Sequence, residues 1–237
     1  METRSFNGTG DRDLVLVLGW GNRFDHDTVE WLVDRLAGAG YRIHGFQLPT
    51  TITDFDAEWL APVARTAESL AEYRLLTHST GGLIGEFLPD PGMTVHLSPW
   101  WGFHDDLRNP LVSLAMKLPV STPLLPAGIE AEDLGEHVTD ERMREAPDRA
   151  APTFLREAKR AQARLPTFDE QRTSVFYTPE DPVVSAEAIE RRVPPRNRVA
   201  YEGGHELFAS ASRTRHIDTV LAALDAGPRA LTDERKP

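Results

Sequence analysis

The stretch Leu75-Leu76-Thr77-His78-Ser79-Thr80-Gly81-Gly82-Leu83 decides how this chain reads. Apolar residues lead into a polar apex and two glycines, after which an apolar residue resumes. That order predicts a strand, a tight turn and a helix start, with Ser79 at the apex. A serine hydroxyl is a poor nucleophile until a base takes its proton. A sharp strand-to-helix turn lifts the hydroxyl clear of the backbone. It also aims the helix N-terminus at the reacting centre, where negative charge develops. Gly81 and Gly82 supply the small residues that so crowded a turn needs. A Ser-Thr-Gly-Gly turn that merely caps a helix has the same local composition, so the surroundings decide.

Upstream, Leu14-Val15-Leu16-Val17-Leu18 is a five-residue apolar run ending at glycine, which predicts a strand buried on both faces. Val29, Leu32, Val33 and Leu36 then recur at helical spacing. Tyr41 to Phe46 reads as a strand. Leu60, Val63, Ala64, Ala67 and Ala71 share a helical face, and Glu72 to Thr77 is the strand into the turn. Gly81 to Leu88 starts a helix and Thr94 to Leu97 is a short strand. This alternation predicts an α/β fold, a mostly parallel central sheet with helices on both faces. Residues 100–168 break the rhythm with Pro110, Pro119, Pro123, Pro126, Pro147 and Pro152. They predict short helical pieces, one longer helix near Thr153 to Arg164, and no strong strand. The alternation resumes at Thr173 to Tyr177, Ala186 to Arg192 and Asn197 to Tyr201. Ile217, Val220, Leu221 and Leu224 mark a closing helix, and the charged tail from Gly227 reads as frayed. The expected organisation is a core of residues 1–99 and 170–237, with 100–169 inserted as a helical cap.

Composition narrows the function classes. The chain has 237 residues, 40% of them apolar, enough for one large domain carrying an insertion. No run approaches the ~18 apolar residues of a membrane helix. The opening METRSFNGTGDRD carries no apolar stretch, which predicts no secretory signal. The absence of cysteine removes disulfides, Cys-ligated zinc, iron–sulfur clusters and a cysteine nucleophile, and fits a cytoplasmic location. A net charge of −11 argues against nucleic acid as a partner. Only Lys117, Lys159 and Lys236 are lysines among the 26 basic residues. A halophile surface and a GC-rich genome both produce that bias. There is no GxxxxGK[ST] or HExxH, and Gly19-Trp20-Gly21 lacks the third glycine of a dinucleotide loop. His104-Asp105-Asp106 is a dense group of possible metal ligands but lacks spaced partners, so no metal is expected.

The stretch around Ser79 resembles the nucleophile elbow of the α/β-hydrolase superfamily, G-x-S-x-G, with Thr77 in place of its first glycine and His78 in a frequent position. Val175 to Val184, VFYTPEDPVV, resembles the family's acid loop. Tyr201-Glu202-Gly203-Gly204-His205-Glu206-Leu207-Phe208 resembles its histidine loop. Ser79, Asp181 and His205 follow the family order of nucleophile, acid and base. The resemblance implies that Ser79 attacks an acyl carbonyl, His205 shuttles the proton and Asp181 orients the imidazole. It implies oxyanion donors at the backbone N–H groups of Thr80 and Trp20. Leu18 stands where the family often has a histidine that braces the Trp20 loop.

Asp105 and Asp106, after the fourth strand, are rival acids in a weaker context. Trp100, Trp101 and Phe103 are candidate pocket residues, with cap hinge packing as the equal alternative. Leu111, Leu114, Met116, Leu118, Leu124 and Leu125 could cover an acyl chain or form the core of the cap. The implied activity is cofactor-free hydrolysis of a small-molecule carboxylic ester through an acyl-enzyme. Small capped esterases and monoacylglycerol- or lysophospholipid-type lipases are the most similar subtypes. Thioesterase, acyltransferase, peptidase and lyase chemistries use the same machinery. The alternative class is a non-catalytic small-molecule-binding protein on this scaffold, favoured by Thr77 and Leu18.

Overall fold

The structure, a computed structural model, describes residues 1–104 and 114–235. Asp105, Asp106 and Leu111 therefore lie outside the described residues. The chain opens with β1 (Glu2–Phe6), β2 (Arg12–Val17), α1 (Asp27–Gly38) and β3 (Tyr41–Gln47). A π-helical turn, Asp56–Leu60, leads into α2 (Ala61–Ser69). Then come β4 (Arg74–His78), α3 (Thr80–Gly85) and β5 (Thr94–Leu97). Between β5 and the next sheet strand lie β6 (Leu125–Pro126), α4 (Ala131–Leu134), α5 (Asp140–Glu145), β7 (Arg149–Ala150) and α6 (Pro152–Gln162). The sheet resumes with β8 (Thr173–Tyr177), α7 (Ala186–Arg192), β9 (Arg198–Ala200) and α8 (Arg213–Ala226).

The seven-stranded sheet runs β1-β3-β2-β4-β5-β8-β9. All its pairs are parallel except β1 with β3. Leu14 to Val17 are fully buried because β2 lies between β3 and β4 with both faces covered. Leu14 and Leu16 pack with α1 and α8 through Val29, Leu32, Val220 and Leu224. Val15 and Val17 pack with α2, α3 and α6 through Val63, Leu83, Ile84 and Phe154. Period two in the strand and period 3.6 in the helices thus meet on two faces, as the sequence predicts.

Two elements differ from expectation. Glu2–Phe6 is an edge strand whose first four side chains are exposed, so backbone pairing alone defines it and no hydrophobic pattern announces it. The tail from Gly227 is not frayed at its start. A 3-10 helix runs over Gly227–Arg235, and Leu231 is buried in the α1/α8 core. In the segment between β5 and β8, β6 and β7 form a two-residue antiparallel pair, and α6 packs Phe154, Leu155, Ala158 and Ala161 into the core.

Candidate active site

The site sits at the C-terminal ends of the parallel strands. Ser79 follows β4 directly and has φ 51° and ψ −116°, a conformation rarely adopted outside glycine. Such strain costs roughly 1–3 kcal/mol and persists because neighbours over-determine it. The Ser79 N–H donates to Leu97 O at 3.0 Å. Its carbonyl accepts from Gly82 N at 2.8 Å and Trp100 N at 2.9 Å.

The structure explains why Thr77 is accommodated. A Cβ on Gly85 would lie 2.9 Å from Thr77 Cγ2, and one on Gly82 would lie 3.3 Å from Thr77 Oγ1. The room for the Thr77 side chain comes from two glycines that follow Ser79. The Thr77 hydroxyl is 2.6 Å from His96 Nδ1. His96 Nε2 is 3.1 Å from Glu86 Oε1, and Glu86 is paired with Arg192. The departure from the elbow pattern is therefore a satisfied buried contact.

Asp181 lies in the loop after β8 and is 3% exposed. Its Oδ1 accepts the Val183 and Val184 N–H groups, each at 2.9 Å. Its carboxylate meets His205 Nδ1 at 2.8 Å through Oδ2 and 3.1 Å through Oδ1. Burial works against the charge. The adjacent His205 imidazole and the two N–H donors outweigh it and hold the carboxyl below its ordinary value. A carboxylate facing Nδ1 requires the proton there, which leaves the lone pair on Nε2, where a general base needs it. His205 Nε2 is buried with no hydrogen-bond partner, and Ser79 and His205 line the same cavity. The Tyr201 hydroxyl lies 2.9 Å from both the Gly204 and His205 carbonyls and 3.0 Å from Ser98 Oγ, which fixes the turn carrying the imidazole.

Trp20 and Thr80 also line this cavity of about 420 Å³. Thr80 opens α3, so its N–H has no acceptor within the helix. Trp20 lies in the turn closed by Asn22 N–H to Gly19 O at 3.2 Å. Its indole stacks on Phe154 at 5.4 Å, and Phe154 stacks on Trp100 at 5.5 Å. These rings form one apolar wall, extended by Leu155, Val183 and Val184.

Of the three aromatic pocket candidates, Trp100 lines the cavity, but Trp101 and Phe103 do not. Trp101 donates to Gly82 O at 3.1 Å and lies against His96 and Arg192, under the elbow. Phe103 packs on Trp100 and bridges Val184, tying the segment after β5 to the acid loop. Both are packed against the elements beneath and beside the cavity. Among the apolar residues considered for covering a chain, Leu125 lines the cavity, Met116 is buried in the core, and Leu114, Leu118 and Leu124 are exposed.

The sequence reading missed the polar end of the cavity. There Arg142 and Glu206 form a buried bidentate ion pair, 7% and 2% exposed. Asn22 Nδ2 donates to Glu206 Oε1 at 2.8 Å, and Asn22 Oδ1 is 2.9 Å from His78 Nδ1. Burial alone would raise the Glu206 carboxyl. The Arg142 guanidinium, with His78 and Asn22, holds it at about 2. Burial, with His205 beside it, pushes the His78 imidazole down to about 3, so it is neutral at pH 7. Only the short spacing of Glu206 from His205 hints at this group in the sequence. Among the described residues no group of three or more His, Asp or Glu side chains could hold a metal ion. No helix among them is long and apolar enough to cross a membrane.

No protein-family model matches the sequence, and no curated protein matches it. Solved structures do. A monoacylglycerol lipase of Paleococcus ferrophilus is 21% identical, with a TM-score of 0.73 over 94% of this chain and 97% of that one. A soluble variant of monoglyceride lipase from Saccharomyces cerevisiae, in complex with a substrate analog, is 14% identical, with a TM-score of 0.74 over 94% and 90%. An esterase from Exiguobacterium antarcticum is 14% identical, with a TM-score of 0.64 over 94% of each chain. With its mostly parallel sheet, its serine turn after β4 and its histidine loop after β9, this chain has the α/β-hydrolase fold.

Proposed function

We propose that the chain is a serine hydrolase of carboxylic esters that works through an acyl-enzyme. The observation that carries this reading is the His205 imidazole, held through Nδ1 by the buried Asp181 carboxylate in the cavity that Ser79 lines. Residues 1–99 and 170–237 form the catalytic core, and residues 100–169 act as a cap whose apolar side chains wall the cavity.

Ser79 Oγ attacks the ester carbonyl carbon as His205 Nε2 takes its proton. The negative charge that develops on the carbonyl oxygen is met by the Trp20 and Thr80 N–H groups. The tetrahedral intermediate collapses, the C–O bond to the alcohol breaks, and the imidazolium gives its proton to the leaving oxygen. Water, deprotonated by His205, then cleaves the acyl-enzyme by the same path in reverse. Asp181 keeps the tautomer throughout. The aromatic wall of Trp20, Trp100 and Phe154 takes the apolar acyl group, as apolar pockets with a few placed polar groups do. The lipases and esterases that share the fold are consistent with an ester substrate.

Intact-mass labelling with a fluorophosphonate tests the assignment. One adduct on the wild type and none on Ser79→Ala is expected, followed by turnover of a short p-nitrophenyl ester. A folded wild type that takes no label overturns the reading and leaves the binding-protein alternative.

A further inference from the structure

Position 18, at the start of the loop bearing Trp20, is a buried leucine with no side-chain polar atom to hold that loop. The structure braces the loop through Asn22. Asn22 is 2% exposed and closes the Gly19 turn. Its side chain joins three loops. Oδ1 meets His78 Nδ1 on the nucleophile turn at 2.9 Å, and Nδ2 meets Glu206 Oε1 beside His205 at 2.8 Å. Glu206 is in turn gripped by both terminal nitrogens of Arg142, on α5. Arg142 Nη1 also reaches Thr28 Oγ1 at 3.2 Å, in the first turn of α1.

Each bond in this chain has one possible direction. A carboxylate accepts only, so the amide must turn Nδ2 toward Glu206. That leaves Oδ1 facing His78, whose Nδ1 must then carry the proton. Space is as constrained as polarity. A Cβ on Gly19 would lie 2.6 Å from His78 Nδ1 and 3.0 Å from Asn22 Oδ1. Only glycine fits at position 19 beside these two side chains. The segment just ahead of the helix carrying Arg142, α4 and the turn after it, is docked on the histidine loop by backbone bonds. His205 N–H donates to Asp133 O at 2.8 Å, Glu206 N–H to Leu134 O at 2.9 Å, and His137 N–H to Ala209 O at 2.8 Å.

We propose that Asn22 is the positioning residue that aims the Trp20 N–H at the oxyanion, and that Arg142, on α5, holds it there through Glu206. The proposal rests on the serine-hydrolase reading above.

The test begins with fluorophosphonate labelling of the wild type. No label would overturn that reading and this proposal together. With labelling established, Asn22→Ala is compared with wild type on a p-nitrophenyl ester. The expected result is a kcat lower by about 30-fold with KM within about twofold, the pattern of an interaction made only in the transition state. Affinity for phenylboronic acid, which forms a tetrahedral adduct on Ser79, should fall by about the same factor as kcat/KM. Arg142→Lys, which keeps the charge but loses the fork, should show the same split at about fivefold. If Asn22→Ala does not fold, Asn22→Ser carries the same readouts. Wild-type kcat in the alanine variant would overturn the proposal. So would a boronate affinity unchanged while kcat falls, or an activity loss matched by a collapse in melting temperature.

Discussion

A Cβ placed on Gly81 would sit 2.2 Å from the carbonyl oxygen of Val17. α3 therefore meets β2 through bare backbone, and that contact sets the height of Ser79 above the sheet. Val17 belongs to a strand paired on both sides, so its carbonyl cannot retreat. Gly81→Ala should lower stability by about 3 kcal/mol, the upper end for overpacking against a fixed wall. The urea midpoint measures this, and the labelling rate of Ser79 should fall with it. An unchanged midpoint would contradict the close approach.

Asp181→Asn should fold but turn over about 10⁴-fold more slowly. An amide facing His205 Nδ1 can present N–H, which favours the tautomer with the proton on Nε2. KM should change little, because the carboxylate touches the base and not the substrate. Single-turnover kinetics on a chromogenic ester would show the defect in acylation.

The Arg142–Glu206 pair makes stability depend on acid. Glu206 is held at about 2, below its ordinary value of 4.5, so the folded chain binds fewer protons than the unfolded one between these limits. The stabilisation is complete above about pH 4.5 and is lost as pH falls toward about 2. Asp181, also lowered, adds in the same direction. Glu206→Gln should flatten the fall of melting temperature across that window. Arg142→Met, which strands a buried carboxylate, should cost about 3–5 kcal/mol at pH 7. Replacing both partners with apolar residues of similar volume should cost less than Arg142→Met alone.

Thr77→Val keeps the shape and removes the hydroxyl that meets His96 Nδ1. A buried imidazole nitrogen left without its partner should lower stability by about 1–3 kcal/mol. The turnover rate should stay within about threefold, since the Gly82 and Gly85 cavities still admit the side chain. Thermal denaturation and ester turnover on the same preparation separate the two effects. An unaltered melting temperature would mean that the Thr77–His96 contact carries no stability.

The architecture was legible where burial imposes a period. Leu14 to Val17 could only be a strand covered on both faces, and the helix stripes at Val29 to Leu36 and Ile217 to Leu224 could only face such a sheet. The meeting of Asp181 with His205 in the cavity that Ser79 lines was legible because each of the three residues follows a strand in a turn with small neighbours. Glu2–Phe6 was not legible, since an exposed edge strand is defined by backbone hydrogen bonds that no side-chain pattern reports. Trp101 and Phe103 read as pocket or packing alike, because aromatic residues serve both, and only their contacts with His96, Trp100 and Val184 separated the cases.

By itself, the sequence determined the α/β alternation and the order of Ser79, Asp181 and His205, because both rest on local periodicity and local turn chemistry. The tertiary structure decided how two departures from the elbow and loop patterns are made good. Thr77 is accommodated by glycines five and eight residues later, and the Trp20 loop is braced through residues 56, 120 and 184 positions away. Such contacts depend on distance in space and on the direction of each hydrogen bond, and neither quantity has a period along the chain.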